Sequence, residues 1–218
     1  MTMTMTTPAS RPLDQYDWTH IGQALDAQGW AVLPALYPPD DARALARAQA
    51  LPDPLPAALA GLRADLYTRL LPVARAWAAA LDLDVAYPDT LTGFTQQNRQ
   101  AGQSRSLSTL QRLRANEDQP LLQYADGSCV FALRAIVLLS EPGVDYTGGD
   151  VVITEQRPRM QSRPMVLPLG LGDAAVIAVS HRPVQGSQGI YRVTARQAIS
   201  RVRSGERIGL NLMLHDAP

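Results

Sequence analysis

The sequence predicts an α+β fold in which a helical first half precedes a second half built from short strands. From residue 14 to about residue 103 the chain is rich in alanine and leucine at helical spacing. From about residue 107 short apolar runs rich in β-branched residues alternate with turn signals. The length of 218 residues allows one large domain or two small ones with a substantial core.

Local signals delimit the helices of the first half. Asp17 can cap a helix that runs through Ile21 and Leu25 and stops at Gly29. The apolar run from residue 30 to residue 36 predicts a strand, and the prolines at positions 38 and 39 start a second helix.

The longest helix is predicted over residues 55–83. Its leucines recur at intervals of three and four, which indicates core packing, but Pro72 interrupts the pattern. We therefore expect a kink or a break at Pro72. Residues 90–103 predict a further helix with a polar end.

The second half contains six apolar runs that predict strands. They cover residues 130–140, 151–154, 166–169, 174–179, 191–202 and 207–214, and most are separated by glycine-containing turns. Several short strands with frequent turns and little helix indicate a β-barrel or a β-sandwich.

Composition excludes several classes of protein. The single cysteine, Cys129, excludes a disulfide framework and a cysteine-rich zinc site. Twenty basic and twenty acidic residues balance, so no overall attraction to nucleic acid or anionic membrane is expected, although a local basic groove stays open. No apolar run is long enough to cross a bilayer, and residues 1–12 have no apolar core. We expect these twelve residues to be a disordered leader and the protein to be cytoplasmic.

Three stretches of the second half carry a resemblance to a known family. They are residues 138–150, 168–174 and 198–207. In order and spacing they resemble the later strands of the 2-oxoglutarate/Fe(II) dioxygenases. Residues 145–164, together with residues 181–186 and the terminal His215-Asp216-Ala217, resemble a bacterial subfamily suggested to demethylate alkylated DNA oxidatively. The resemblance implies a double-stranded β-helix, or jelly-roll barrel, over residues 107–218, with residues 13–106 as a helical region packed on it.

The same resemblance implies an iron site made by two histidines and one carboxylate, which hold one face of Fe(II). The ligands belong to a His-any-Asp motif early in the barrel and to a histidine on a late strand. In this chain Leu122 and Tyr124 stand at the first two positions and Gln197 stands at the third. All three ligands are therefore expected to be lost. The sequence thus predicts no metal site and no cofactor, with Fe(II) and 2-oxoglutarate required only if a metal site has been rebuilt.

The cosubstrate half of the motif is retained. Arg207 follows Gln197 by ten residues, where the family has the arginine that binds the far carboxylate of 2-oxoglutarate. The planar guanidinium suits a bidentate carboxylate contact. The structural alternative is a strand arginine paired with Glu206 or Asp216.

The remaining candidates leave several interpretations open. Tyr124, Asp126 and Gln197 are the polar groups of the expected pocket, and a metal site rebuilt from Asp126, His181 and His215 is conceivable, although their spacing does not favour it. His181 is expected in a structural loop. The loop arginines at positions 157, 159 and 163 face either a phosphate or solvent, the latter with Glu155 as their anchor.

Three functional hypotheses follow. The chain is a degenerate oxygenase that serves as a binding or regulatory module, an active dioxygenase with a rebuilt metal site, or a metal-independent enzyme that reuses the emptied pocket. The first is favoured, because the scaffold motifs survive while every expected ligand is replaced. Its expected partner is an active relative or a small carboxylate. The sequence does not decide whether nucleic acid is a partner, and no membrane partner is expected.

Overall fold

The structure, a computed structural model, describes residues 7–157, 161–187 and 189–218. The first six residues of the expected leader and Arg159 of the arginine loop lie outside the described residues. Among the described residues of the first half, a short 3-10 helix (Leu13–Gln15) precedes four α-helices and one strand: α1 (Trp18–Gln28), β1 (Trp30–Leu33), α2 (Pro39–Ala46), α3 (Ala57–Ala80) and α4 (Leu91–Gln100).

Twelve further strands follow α4. They are β2 (Arg105–Ser106), β3 (Thr109–Arg114), β4 (Gln119–Leu122), β5 (Leu133–Leu138), β6 (Tyr146–Gly148), β7 (Val151–Gln156), β8 (Arg163–Val166), β9 (Ala174–Ala178), β10 (His181–Gly186), β11 (Gly189–Ile199), β12 (Val202–Leu212) and β13 (Asp216–Ala217).

Two antiparallel sheets face each other. The first has the order β1-β9-β5-β12-β3, with β6 also paired to β12, and the second has the order β10-β11-β7-β8, with β4 also paired to β11. The chain crosses repeatedly between the sheets, and β7–β8 and β10–β11 form antiparallel pairs of consecutive strands within the second sheet, as expected for a jelly roll. β1 comes from the helical half and extends the first sheet beside β9, so the two halves of the chain share this sheet.

The first sheet buries both of its faces. On β5, Leu133, Ala135 and Val137 belong to the core that includes the buried residues of the helices. The alternate residue Ile136 packs between the two sheets, with Val151 and Ile177. A side chain on an even position of β5 therefore points into the barrel.

Several expectations about elements are confirmed. α1 begins after Asp17, whose side chain accepts a hydrogen bond from the His20 backbone, and it ends at Gly29, which has a left-handed conformation with φ of 80°. Gly29 is required there because a Cβ would lie 2.7 Å from Nε of Arg182. The helix predicted over residues 90–103 is α4, which begins after its cap Thr90.

The expected break at Pro72 is wrong if taken as an interruption of the helix. α3 is one helix of 24 residues that passes through Pro72. Pro72 lies on the exposed side, whereas Leu70, Leu71 and Ala74 beside it are buried. The buried residues on both sides of Pro72 hold the helix in place, so the loss of one backbone hydrogen bond at Pro72 does not end it.

The strand pattern of the second half is recovered only in part. β2, β3, β4, β6, β10 and β13 have no counterpart among the predicted runs, because they are short or polar. His181 was expected in a loop, but it is the first residue of β10 and pairs with Thr194 of β11. No helix among the described residues has the length and apolar character needed to span a membrane.

Candidate functional site

The pocket of the barrel is lined mainly by β3, β5, β11 and β12, and β4 pairs with β11 beside it. Leu122 ends β4 and lies directly opposite Gln197 of β11. Gln197 and Arg207 line one small cavity, of about 10 Å³, together with Asn211 of β12. The fold therefore brings two of the expected pocket residues together. Asp126, by contrast, is exposed in the segment that follows β4.

Arg207 is buried without a carboxylate partner. Its Nε donates to the Gly149 carbonyl at 2.8 Å, and it contacts Tyr146. Burial lowers the pKa of Arg207, while Tyr146 and the more distant Asp150 oppose this shift. Among the described residues no carboxylate oxygen lies within 4.0 Å of its guanidinium.

The structural alternative for Arg207 named two acids that are bound elsewhere. Glu206 accepts from Arg112 at 2.8 Å and from Arg114 at 3.2 Å, and Asp216 pairs with Arg63 at 3.0 Å. The pairing of Arg207 with Glu206 or Asp216 is therefore absent from the described residues.

Glycine leaves room for the Arg207 guanidinium. A Cβ at Gly209, two residues further along β12, would lie 2.9 Å from Nη1 of Arg207. The guanidinium thus extends along the inner face of β12 towards the next inward-facing position. With a larger residue at position 209 the guanidinium would have to shift.

A second buried cation, Arg134, lies at the other end of the same inner face. It points into the barrel from β5, is 1 % exposed, and donates from Nη1 to Asn211 Oδ1 at 3.1 Å. Its Cζ lies 3.9 Å from the centre of the Tyr124 ring. Burial lowers the pKa of Arg134 to about 10, against an opposing effect of Tyr124, so the side chain is a cation at neutral pH.

Sequence reasoning missed Arg134. The available signal was an arginine in the middle of the run Leu-Arg-Ala-Ile-Val-Leu, since arginine is almost never fully buried unless it is paired. That signal alone gives no partner. The contact with Tyr124 depends on how β5 and the segment after β4 meet in space.

The residues at the metal positions do not fit an iron site. Leu122 offers no donor atom, and Gln197 presents a neutral amide. Tyr124 is covered by the Arg134 guanidinium, whose charge disfavours a divalent cation beside it. Among the residues that the structure describes, no three histidine, cysteine, aspartate or glutamate side chains are grouped as a metal site would require.

The histidines considered for a rebuilt site have other surroundings. His215 is fully buried, and its Nε2 lies 2.9 Å from the Tyr124 carbonyl. Burial lowers the pKa of His215 to about 4. His181 is half-buried, with Nδ1 3.4 Å from the Thr194 hydroxyl. Within the described ranges, the two histidines and Asp126 do not form a cluster.

Among the described residues, the charged partner of Glu155 is Arg182 and not an arginine of the loop. Glu155 is 2 % exposed and accepts a hydrogen bond from Nε of Arg182 at 2.5 Å. Arg182 also donates to the Asp26 carbonyl of α1 at 2.9 Å. The buried pair therefore ties β7 and β10 to the end of the first helix.

Comparisons with known proteins give consistent results. Residues 47–217 match the family model Oxygenase-NA, described as an oxygenase catalysing oxidative methylation of damaged DNA. An uncharacterized protein of Mycobacterium tuberculosis is 39 % identical over 166 residues, which is 76 % of this chain and 71 % of that protein.

Two solved structures share the fold. A prolyl-4-hydroxylase of Pseudomonas putida has a TM-score of 0.50 at 12 % identity and covers 98 % of this chain and 99 % of its own. An oxidoreductase of the 2OG-Fe(II) oxygenase family from Burkholderia pseudomallei has a TM-score of 0.51 at 16 % identity, covering 97 % and 98 %. At these identities the likeness shows the jelly-roll fold alone.

These matches correct one expectation. The sequence predicted that no cofactor is involved, but the matched family and the Burkholderia structure belong to oxygenases that depend on Fe(II) and 2-oxoglutarate. The expectation of no cofactor was therefore wrong, because the absence of a cofactor had been inferred only from the replacement of the iron ligands. In the pocket, Arg207 fits the 2-oxoglutarate end of such a site, whereas the residues at the iron end do not fit the metal.

Proposed function

Because the chain belongs to the Oxygenase-NA family of the 2-oxoglutarate/Fe(II) oxygenases, we propose that it is a degenerate member that binds a small carboxylate at Arg207. In this proposal the barrel serves as a binding or regulatory module and does not carry out iron-dependent oxidation. The expected macromolecular partner of such a module is an active relative.

The observation that carries the proposal is the state of Arg207. A guanidinium that is 4 % exposed and has no carboxylate within 4.0 Å, among the described residues, has lost hydration without gaining an ion pair. Such a charge is expensive to bury. A ligand carboxylate on its planar fork would supply the missing countercharge and a bidentate contact.

The metal end supports the degenerate part of the proposal. An iron site needs donor atoms that lose a proton or carry a lone pair towards the metal, and Leu122 has none. A guanidinium stacked on Tyr124 adds a like charge next to the metal position. The pocket therefore keeps a residue for carboxylate binding, Arg207, but lacks the residues for iron-dependent oxidation.

Calorimetric titration of the full chain with 2-oxoglutarate under anaerobic conditions tests the binding. We expect saturable binding that Arg207→Met weakens by at least about tenfold, since a hydrogen bond to a charged group contributes about 1.5–3 kcal/mol. Arg201→Met is the matched control, because the Arg201 side chain is 68 % exposed. It should leave the affinity unchanged.

The absence of iron-dependent oxidation is tested on the same full chain. Fe(II) is added anaerobically with 2-oxoglutarate, and the visible charge-transfer band of the chelate is sought. Oxygen is then admitted and succinate is measured. A flat spectrum without turnover is expected. A stoichiometric band with succinate formation would overturn the degenerate assignment, and a complete absence of carboxylate binding would overturn the module.

A further inference from the structure

We propose that Arg134 is a second anion-binding residue of the pocket, so that its ligand is a short dicarboxylate held between Arg134 and Arg207. The inference rests on the proposed function for its first anchor. It adds the class of ligand. It also assigns Arg134 as the cation at the end of the pocket where the family binds Fe(II).

Arg134 has the same unbalanced state as Arg207. It is 1 % exposed, and no carboxylate oxygen of the described residues lies within 4.0 Å of it. Its Nε has no hydrogen-bond partner in the part of the chain that the structure describes. Asn211 Oδ1 and the Met213 sulfur, at 3.1 and 4.0 Å, are neutral acceptors. Two buried guanidiniums in one barrel thus lack a countercharge.

The two guanidiniums lie along the inner face of β12. Arg207 belongs to β12 itself, whereas Arg134 reaches Asn211 of β12 from the neighbouring strand β5. Arg207, Gly209 and Asn211 alternate on β12 and share the lining of one cavity. The Arg207 guanidinium reaches the level of Gly209, and Arg134 meets the side chain of Asn211. Two residues of an antiparallel strand advance about 7 Å, so the two groups are separated by roughly that distance.

This spacing suits one ligand with a carboxylate at each end. A dianion neutralises both cations, whereas a monoanion leaves one of them buried and unpaired. Gln197 lines the cavity, and its Oε1 has no hydrogen-bond partner among the described residues. Rotation of this amide would turn its NH₂ group towards a carboxylate. A bound dicarboxylate would thus supply a partner to both guanidiniums and to the amide.

The pocket is closed without a ligand. A cavity of about 10 Å³ holds about one water molecule, so a dicarboxylate must displace a side chain. Tyr124 is the group placed to move at the Arg134 end, because it is only half-buried, lies two residues beyond the end of β4, and covers the Arg134 guanidinium. A carboxylate binds the N–H edge of a guanidinium in its plane, and the ring over the guanidinium takes up space beside that edge. We therefore assign Tyr124 the role of a plug.

Titration of the full chain with succinate, glutarate and propionate tests the inference. The wild-type protein is expected to bind the better of the two dicarboxylates at least about tenfold more tightly than propionate. Arg134→Met should abolish that difference while propionate binding stays. Arg207→Met should weaken all three ligands. The variants are first compared by chemical unfolding, so that a folding defect is recognised.

Tyr124→Ala provides a second test that leaves both buried arginines in place, so it does not depend on whether a substitution of a buried arginine damages the fold. If the ring covers the second anchor, its removal should tighten dicarboxylate binding and leave propionate unchanged. Weaker dicarboxylate binding by Tyr124→Ala would contradict the inference. Equal affinity of the wild-type protein for all three acids would also contradict the role of Arg134. That result would leave the proposed carboxylate site at Arg207 unaffected. Failure of propionate and both dicarboxylates to bind would instead overturn the proposed function itself.

Discussion

Three buried arginines divide into two kinds. Arg182 is fully buried and pairs with Glu155, which is 2 % exposed, and it also donates to the carbonyls of Asp26 and Ala27. Arg134 and Arg207 are nearly as buried, but among the described residues neither has a carboxylate partner. The same side chain at similar depth is thus balanced at the rim of the second sheet and unbalanced in the pocket.

The difference separates structure from binding. A buried charge with its partner and hydrogen bonds in place serves the fold, because nothing further is needed to satisfy it. A buried charge without a partner lowers stability unless something binds to it, so its retention indicates a role outside the fold. The comparison makes opposite predictions for the two kinds of arginine.

The largest effect is expected at the balanced pair. Glu155→Leu leaves Arg182 buried without its countercharge and should lower the free energy of unfolding by about 3–5 kcal/mol. Denaturant unfolding followed by circular dichroism measures the loss. Asp118→Leu is the matched control, because the Asp118–Arg201 pair is 3.8 Å long and exposed. The control should change stability by less than about 1 kcal/mol. Equal losses in the two variants would remove the distinction.

The local part of the fold could be predicted because its signals are local. Asp17 and Gly29 delimit α1 by their own capping chemistry, and Thr90 does the same for α4. Pro72 misled the prediction because the burial of Leu70 and Ala74 on the sheet is a tertiary effect. The pairing of β4 with β11 likewise joins distant residues, and no local pattern in Gln119–Leu122 indicates it.

The site was predicted unequally for a similar reason. Arg207 and Gln197 were found by their spacing in a family motif, and the fold places them on one cavity. Asp126 was included for its charge, yet it is exposed. Arg134 was missed because it belongs to no motif, and its inward direction follows only from both faces of β5 being covered. The roles of these residues stay predictions until ligand binding is measured.

A smaller effect is expected at His215, which extends the comparison to a buried base that stays neutral. Burial lowers its pKa from 6.5 to about 4, Asp216 opposes the shift, and Arg63 and Arg134 reinforce it. Between these pH values the unfolded chain binds the proton and the folded chain does not. Stability from this residue is therefore complete above pH 6.5 and falls as pH drops towards 4, by up to about 3 kcal/mol.

His215→Gln tests this contribution. The amide can keep a hydrogen bond to the Tyr124 carbonyl, but it does not titrate. Unfolding free energies measured from pH 4 to 7 should rise less steeply with pH in the variant than in the wild-type protein. Parallel curves would show that His215 is protonated equally in the two states.

The unbalanced arginines should tolerate loss of their charge. Arg134→Met replaces an unpaired buried cation by an apolar chain of similar length, so it should leave the free energy of unfolding unchanged or raise it, by up to about 3 kcal/mol. Arg182→Met, by contrast, strands Glu155 and should lower it by about 3–5 kcal/mol. Unfolding curves of the two variants, recorded without ligand, make the comparison direct. A loss as large at Arg134 as at Arg182 would mean that Arg134 is structural.

The smallest effect is expected at Gln197. Its Oε1 has no partner among the residues that the structure describes, so Gln197→Leu removes an unsatisfied buried acceptor and should raise the free energy of unfolding by about 1 kcal/mol. The same change removes the amide that would donate to a bound dicarboxylate, so the affinity for succinate or glutarate should fall. Stability and affinity moving in opposite directions would distinguish a residue kept for binding from one kept for packing. Ala198→Leu, on the outward side of the same strand, controls for the added apolar volume.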